Sequence, residues 1–150
     1  SLNENNVRLR AIGDMSRLPP KTKRELLQGI EATSKNTGLT LTLAVSYGGR
    51  AEIVNAAREF SRKALQDPAK IETLDEETFS QFLYTRDMPD PELIIRTGGG
   101  MRISNFLIWQ AAYAELYVTD TLWPDFNKEC LLEAINNFNK RDRRFGKVKE

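Results

Sequence analysis

The chain has 150 residues, enough for one domain, and we expect residues 1–150 to form a single domain. Its formal net charge of +1, from 22 basic and 21 acidic side chains, argues against a general nucleic-acid or membrane-surface binder. The absence of histidine excludes His-based triads and His metal clusters, and the single cysteine, Cys130, excludes an intrachain disulfide. Cysteine usage fits a cytoplasmic protein. Because no apolar run approaches the roughly 18 residues of a membrane span, we expect no transmembrane segment.

Predicted strands and helices alternate along the first half of the chain. Residues 7–12 alternate apolar and basic side chains, which predicts a strand that ends at Gly13. A pair of prolines, Pro19 and Pro20, then precedes a helix predicted over residues 21–34. The β-branched alternation of residues 39–45 predicts a second strand, and helical spacing predicts a helix over residues 51–64. A shorter helix is predicted over residues 75–84.

The second half of the chain predicts two more strands. The first covers residues 92–96 and ends at three consecutive glycines. Ser104 or Asn105 can cap a helix that extends to about residue 114, and residues 115–118 then predict a short strand. A last helix is predicted to start at residues 123–125, and the charged residues 140–150 are expected to be frayed or bound to a partner. The residues predicted to face inward on the last helix are Phe126, Cys130, Leu131, Ala134, Ile135 and Phe138.

This order of elements predicts an α/β fold, with an open, mostly parallel sheet of about four strands flanked by helices. In open parallel sheets, ligands bind beyond the carboxyl ends of the strands. Three predicted strand ends carry glycine or polar residues, namely 13–14, 47–50 and 96–105. These three segments are therefore the candidate binding loops.

The third strand end is the most informative, because a strand leads through three glycines to a predicted helix start. Glycine lets backbone N–H groups approach a ligand, and a helix start adds further donors and partial positive charge. Arg96 and Arg102 flank the loop, and arginine matches phosphate oxygens bidentately. With the Ser104 hydroxyl, these features favour a diphosphate clamp. The alternative is a flexible glycine-rich turn with two solvated arginines.

Two further candidates have alternative structural roles. Glu115 is a lone carboxylate of a kind that is more often solvated or capping, although near a diphosphate it could help to hold Mg²⁺. The loop at residues 47–52 is similar in form to the third strand end. Its alternative role is a turn in which Arg50 pairs with a nearby carboxylate.

Several blocks of the sequence resemble the undecaprenyl diphosphate synthases, a cis-prenyltransferase family. The longest resembles the C-terminal signature of that family, and the shorter blocks fall in the family's order along nearly the whole chain. They are RTGGGMRISNF at 96–106, WQ at 109–110, AYAELY at 112–117, LWPDF at 122–126, YGGRAEI at 47–53, IGD at 12–14 and RRFG at 143–146.

The resemblance implies a Mg²⁺-dependent transferase with the cis-prenyltransferase fold. Such enzymes condense isopentenyl diphosphate with farnesyl diphosphate and form a long cis-polyprenyl diphosphate, the lipid carrier of cell-wall synthesis, usually as homodimers. The family assigns the residues that match Arg96, Arg102, Ile103 and Ser104 to isopentenyl diphosphate, and the residue that matches Glu115 to Mg²⁺. The residues that match Arg144 and Gly146 reach the active site of the partner subunit.

The sequence also departs from the family pattern. It contains no His-x-x-x-Met-Asp-Gly-Asn-x-Arg block, which supplies the family's Mg²⁺-binding aspartate, while Gly100 replaces a usual glutamate and Ser46 a usual asparagine. We therefore expect the C-terminal portion of such an enzyme, inactive in chain elongation by itself. One alternative is a non-catalytic accessory subunit that donates Arg144, Phe145 and Gly146 to a catalytic partner. Another is an unrelated α/β phosphate-binding module.

Overall fold

The computed structural model describes residues 1–142, in which the chain forms two compact units. The first unit comprises residues 1–88, and the second begins at Pro89. The two units are described separately below. The expectation of a single domain stays a prediction.

The first unit is built on two parallel strands, β1 (Arg8–Ile12) and β2 (Thr40–Ala44). Their register pairs Leu9 with Leu41 and Ile12 with Ala44. The two strands are connected through helix α1 (Pro20–Ala32), as a parallel pair requires a crossover. In β1, Leu9 and Ile12 are buried, and because they lie three positions apart they face opposite sides of the strand.

Thr33 links the end of α1 to the start of β1. This threonine is buried, and its Oγ1 atom donates a hydrogen bond to the Gly29 carbonyl at 2.8 Å. The same oxygen accepts a 2.9 Å hydrogen bond from the backbone N–H of Leu9. One side-chain hydroxyl therefore satisfies a strand donor and a helix acceptor together.

Helix α2 (Gly49–Gln66) is longer at both ends than the helix predicted over residues 51–64. Its buried face carries small side chains, Ala56 and Ala64, together with the carboxylate of Glu52. Helix α3 (Glu76–Ser80) is capped by Asp75 and ends four residues before the predicted end. After α3 the backbone forms turns closed by i→i+3 hydrogen bonds. One of these bonds joins the Leu83 N–H to the Ser80 carbonyl at 3.2 Å.

The second unit contains a second parallel pair, β3 (Leu93–Arg96) and β4 (Glu115–Val118). Helix α4 (Lys128–Asn139) follows, and the Asn127 side chain caps it by accepting a 3.1 Å hydrogen bond from the Cys130 N–H. The predicted start at residues 123–125 is wrong, because that segment is a separate 3-10 turn and extended backbone precedes the cap.

Only part of the predicted inner face of α4 is buried. Ala134 is fully buried, and Cys130 and Phe138, one helical turn to either side, are half-buried, as is Phe126 before the helix. Leu131 and Ile135 are exposed instead. Residues at i, i+4 and i+8 therefore define the buried stripe within the described part of the chain.

The helix predicted over residues 104–114 is not formed. Turns and bends occupy this segment, although one α-type hydrogen bond joins the Ala111 N–H to the Leu107 carbonyl at 2.8 Å. Ser104, Asn105 and Leu107 have φ values of +52°, +61° and +47°. Because these left-handed residues cannot continue a right-handed helix, the segment follows the strand as a series of turns.

The α/β class with parallel strands is confirmed. All four predicted strands are present, and both pairings within residues 1–142 are parallel, with helices after β1, β2 and β4 but turns after β3. The strands form two pairs, β1–β2 and β3–β4. None of the helices in the described range is long and apolar enough to cross a membrane.

Candidate functional site

The glycine bend after β3 is tied to the segment that follows β4. Gly98 and Gly99 have positive φ, and their N–H groups donate 2.9 Å hydrogen bonds to the carbonyls of Thr121 and Thr119. In return, the Thr119 N–H donates to the Arg96 carbonyl at 2.9 Å. These two glycine N–H groups are therefore engaged within the fold, and the predicted approach of backbone N–H groups to a ligand stays a prediction for the rest of the loop.

Asp120 covers the same bend and was not singled out from the sequence. A Cβ atom built on Gly99 would lie 2.6 Å from Asp120 Oδ1, which can move, so it is the φ of +71° that favours glycine at this position. The sequence signal that could have identified Asp120 was its position, two residues after the end of β4. In a parallel pair, the residues that follow each strand lie at the same edge.

Arg96 and Ser104 come together at this edge. Arg96 Nη1 donates a hydrogen bond to Ser104 Oγ at 3.2 Å. The guanidinium lies beside Gly100, where an added Cβ would be 3.2 Å from Nη2 and 3.3 Å from Nε. The glycine that replaces the family's usual glutamate thus leaves room for the Arg96 guanidinium.

Arg102 and Ile103 lie on the exposed stretch between these two residues. Within residues 1–142, Arg102 forms no ion pair, and it is exposed. No helix begins at Ser104, and the predicted contribution of a helix terminus is therefore wrong. Binding of an anion at this edge would depend on side-chain donors.

Glu115 lies at the opposite end of the strand pair from Arg96. It opens β4 and pairs in register with Leu93, whereas Arg96 pairs with Val118. Three residues of strand, at about 3.3 Å each, separate the two levels by roughly 10 Å. The structure therefore does not bring Glu115 to the glycine bend of its own chain.

The Glu115 carboxylate is held by an arginine that follows α4. Arg141 Nη1 donates to Glu115 Oε2 at 2.9 Å, and the two side chains are 31% and 28% exposed. The sequence signal for this pair was weak, because 26 positions separate the partners. The alternative of a solvated or capping carboxylate is wrong, because Glu115 opens a strand, is only 28% exposed and forms an ion pair with Arg141.

The described residues do not form a complete cation site. Residues 1–142 contain no group of three or more His, Cys, Asp or Glu side chains that could hold a metal ion. Magnesium binds through one or two carboxylates together with substrate phosphates and water, in octahedral geometry. Glu115 can supply one such ligand, but the side chains around it do not complete the set.

A second polar cluster lies beyond β2. The Tyr47 hydroxyl donates a 2.6 Å hydrogen bond to Glu52 Oε1, and the Tyr84 backbone N–H donates a 2.8 Å hydrogen bond to Glu52 Oε2. The rings of Tyr47 and Tyr84 meet edge to face, with their centroids 6.4 Å apart. The sequence prediction concentrated on Arg50 in this loop, whereas the buried acidic side chain is Glu52.

Two side chains in or near this cluster, Tyr84 and Asp14, have shifted pKa values. Burial, the Glu52 carboxylate and Asp14 raise the pKa of Tyr84. Hydrogen bonding from the Ser16 side chain is the largest of the effects that lower the pKa of Asp14, which is exposed. The phenol of Tyr84 is therefore kept protonated and Asp14 is kept ionised.

The two predicted partner-site residues, Arg144 and Gly146, lie outside the described residues.

The sequence as a whole is similar to prenyl-transferring enzymes. Residues 1–146 match the family model for undecaprenyl diphosphate synthase. The isoprenyl transferase of Porphyromonas gingivalis is 51% identical over 146 residues, which cover 97% of this chain and 58% of that protein. The isoprenyl transferase of Heliobacterium mobile is 48% identical over 99% of this chain and 57% of its own length. The chain thus spans a little over half the length of these two relatives.

Two solved structures share the fold. One is lavandulyl diphosphate synthase from Lavandula x intermedia in complex with dimethylallyl diphosphate, with a TM-score of 0.91 and 39% identity over 94% of this chain and 61% of that one. The other is a probable undecaprenyl diphosphate synthase from Campylobacter jejuni, with a TM-score of 0.82 and 41% identity over 98% of this chain and 66% of that one.

Proposed function

Because the chain belongs to the undecaprenyl diphosphate synthase family, we propose that its segment 96–104 binds the diphosphate of isopentenyl diphosphate in a prenyl transfer reaction. The allylic donor in this proposal is farnesyl diphosphate, the acceptor is isopentenyl diphosphate, and the product is a long cis-polyprenyl diphosphate. In each cycle the allylic carbon–oxygen bond breaks, diphosphate leaves, a carbon–carbon bond forms to isopentenyl diphosphate, and a proton is lost.

The observation that supports this proposal most directly is the position of the Arg96 guanidinium. It lies at the carboxyl end of β3, beside Gly100 and 3.2 Å from Ser104 Oγ, while the side chain of Arg102 is exposed six residues further on. Ligands of parallel sheets bind at this end of the strands. Two guanidinium groups and a hydroxyl supply donors for a dianionic diphosphate, and they would hold and orient the homoallylic substrate.

Titration calorimetry with isopentenyl diphosphate tests this site in the full 150-residue chain. Arg96→Gln and Arg102→Gln should each weaken binding roughly 10- to 100-fold, because each removes a charge-assisted hydrogen bond. Arg58→Gln, at an exposed position on α2, is the matched control and should bind as the unsubstituted chain does. Unchanged binding in both loop variants, or no binding by the unsubstituted chain, would contradict the proposal.

The proposal assigns elongation to the longer parent enzyme. The 150 residues lack the Asp-Gly-Asn block, to which the family resemblance assigns the allylic diphosphate and its Mg²⁺. Incubation with labelled isopentenyl diphosphate, farnesyl diphosphate and Mg²⁺ should therefore yield no polyprenyl product. Any elongated product would show that these residues suffice for catalysis.

The remaining parts of the proposal follow from the family. They are a cytoplasmic homodimer that uses Mg²⁺ and a product that serves as the lipid carrier of cell-wall synthesis. Light scattering of the chain at tens of micromolar tests the dimer, and a monomeric mass would count against it. The accessory-subunit alternative depends on Arg144 and Gly146, and copurification with a catalytic homologue would favour it.

A further inference from the structure

Thr119 is the first residue after β4, and its backbone makes two hydrogen bonds to the end of β3 and the glycine bend. Its N–H donates to the Arg96 carbonyl and its carbonyl accepts from the Gly99 N–H, each at 2.9 Å. Arg96 is the last residue of β3 and pairs in register with Val118. The chain from Arg96 to Gly99 is therefore closed against a single residue.

The side chain of Thr119 holds its own segment in a turn. Its Oγ1 atom accepts a 3.2 Å hydrogen bond from the Thr121 N–H and donates a 3.1 Å hydrogen bond to Thr121 Oγ1. Threonine hydroxyls stabilise turns by bonding to nearby backbone groups in this way. The Thr121 carbonyl in turn accepts from the Gly98 N–H at 2.9 Å. One half-buried hydroxyl thus shapes the segment whose two carbonyls fix the glycine bend.

The glycine bend packs against the Arg96 guanidinium. After the positive φ values of Gly98 and Gly99, the chain brings Gly100 beside this side chain, where an added Cβ would lie 3.2 Å from Nη2. The guanidinium also donates from Nη1 to Ser104 Oγ at 3.2 Å. An arginine side chain has many rotamers, so its readiness to bind a ligand depends on what packs against it.

We propose that Thr119 is a positioning residue for diphosphate binding, whose hydroxyl holds the glycine bend in the shape that presents Arg96 to the ligand. Thr119 has this role only if segment 96–104 binds diphosphate, so the assignment rests on the proposed function. It extends that function to a side chain that follows the neighbouring strand and lies outside the binding segment itself.

The expected effect follows from the loss of one hydrogen-bonding group. A hydrogen bond shifts a conformational equilibrium roughly 2- to 10-fold, and ligand affinity falls with the fraction of the chain that is competent to bind. Thr119→Val keeps the branched shape and removes the hydroxyl. In titration calorimetry on the 150-residue chain, it should weaken binding of isopentenyl diphosphate about 3- to 10-fold. Thr119→Ser keeps the hydroxyl and should recover the affinity to within about twofold.

Amide hydrogen exchange without ligand tests the same hydroxyl independently. Thr119→Val should speed exchange at Gly98 and Gly99, whose N–H groups donate to the turn, and Thr119→Ser should not. Exchange at Ala134, in the buried centre of α4 in the same unit, should stay slow in both variants. A general loss of stability in the second unit would speed exchange at all three positions and would count against a local positioning role.

A matched control comes from the first unit. Thr42→Val removes the hydroxyl of another half-buried threonine, on β2, and should bind isopentenyl diphosphate as the unsubstituted chain does. The positioning role is overturned if Thr119→Val binds with unchanged affinity, if exchange at Gly98 and Gly99 is unchanged, or if Thr119→Ser is as weak as Thr119→Val.

Failure of this inference can be told apart from failure of the diphosphate site. If the unsubstituted chain binds isopentenyl diphosphate, and Arg96→Gln weakens binding while Thr119→Val does not, only the role of Thr119 is rejected. If the unsubstituted chain does not bind, the diphosphate site is rejected, and the role of Thr119 with it.

Discussion

The hydroxyl of Tyr47 donates a 2.6 Å hydrogen bond to Oε1 of Glu52, a carboxylate that is only 1% exposed. Tyr47 belongs to the loop after β2, and Glu52 lies in the first turn of α2. Oε2 of the same carboxylate accepts from the Tyr84 N–H at 2.8 Å, far along the chain. One buried side chain therefore fixes a strand end, a helix start and a distant turn relative to one another within the first unit.

Removing this carboxylate should strongly destabilise the first unit. We expect Glu52→Ala to lower the free energy of unfolding by about 3 kcal/mol, because it removes a buried carboxylate that accepts from two partly buried donors. Glu52→Gln should cost less, about 1–2 kcal/mol, since one amide oxygen still accepts. Urea unfolding followed by circular dichroism measures both. Glu59→Ala is the control, because Glu59 is half-exposed and pairs with the exposed side chain of Arg62, and equal stability of Glu52→Ala and Glu59→Ala would disprove the anchoring role.

The strands were predictable from the sequence because their pattern is local. Alternation over residues 7–12 and 39–45 predicted β1 and β2 to within one residue at each end. The parallel pairing followed from the helix between them. The division into two strand pairs was not predictable, because it depends on contacts between residues distant in the sequence.

The candidate site shows where local patterns fail. Arg96 and Ser104 were predicted together and lie within hydrogen-bonding distance. The helix expected to begin there is interrupted by three left-handed residues. Asn105 is of a type that adopts this conformation relatively often, but Ser104 and Leu107 are not, so the sequence did not indicate the interruption. The Glu115–Arg141 pair was not found because neither residue's neighbours indicate the other.

Gly13 should tolerate no side chain. A Cβ on this residue would lie 2.0 Å from the Val45 carbonyl oxygen, and its φ of +107° is unfavourable for any other residue. We expect Gly13→Ala to lower the unfolding free energy by about 3 kcal/mol or more. The control in the same unit is Gly29→Ala, in α1, where the nearest atom is a flexible Leu9 methyl at 3.1 Å. There the gain in helix propensity of about 1 kcal/mol offsets the contact. Similar urea midpoints for the two variants would contradict the assigned clash.

Thr33→Val should leave the Leu9 N–H buried without a partner. The substitution preserves shape and removes the hydroxyl that accepts from Leu9 at 2.9 Å, so we expect a loss of about 1–2 kcal/mol. Amide hydrogen exchange should show faster exchange at Leu9 in particular. Thr33→Ser keeps the hydroxyl and should retain slow exchange at that amide. If Leu9 exchanges equally slowly in the valine variant, another group must satisfy it.

Stability at alkaline pH should depend on Tyr84. Burial, together with the negative charges of Glu52 and Asp14, raises the pKa of this phenol in the folded chain above its unfolded value of about 10. The unfolded chain therefore releases the proton first, and the contribution to stability is complete below pH about 10 and lost as pH rises through the folded pKa. Tyr84→Phe keeps the backbone N–H that binds Glu52 and removes this titration. Its unfolding free energy should fall less steeply above pH 10 than that of the unsubstituted chain, measured by urea unfolding at several pH values. Tyr113→Phe, at an exposed tyrosine, should keep the steep fall, and identical slopes in all three proteins would rule out Tyr84 as the source.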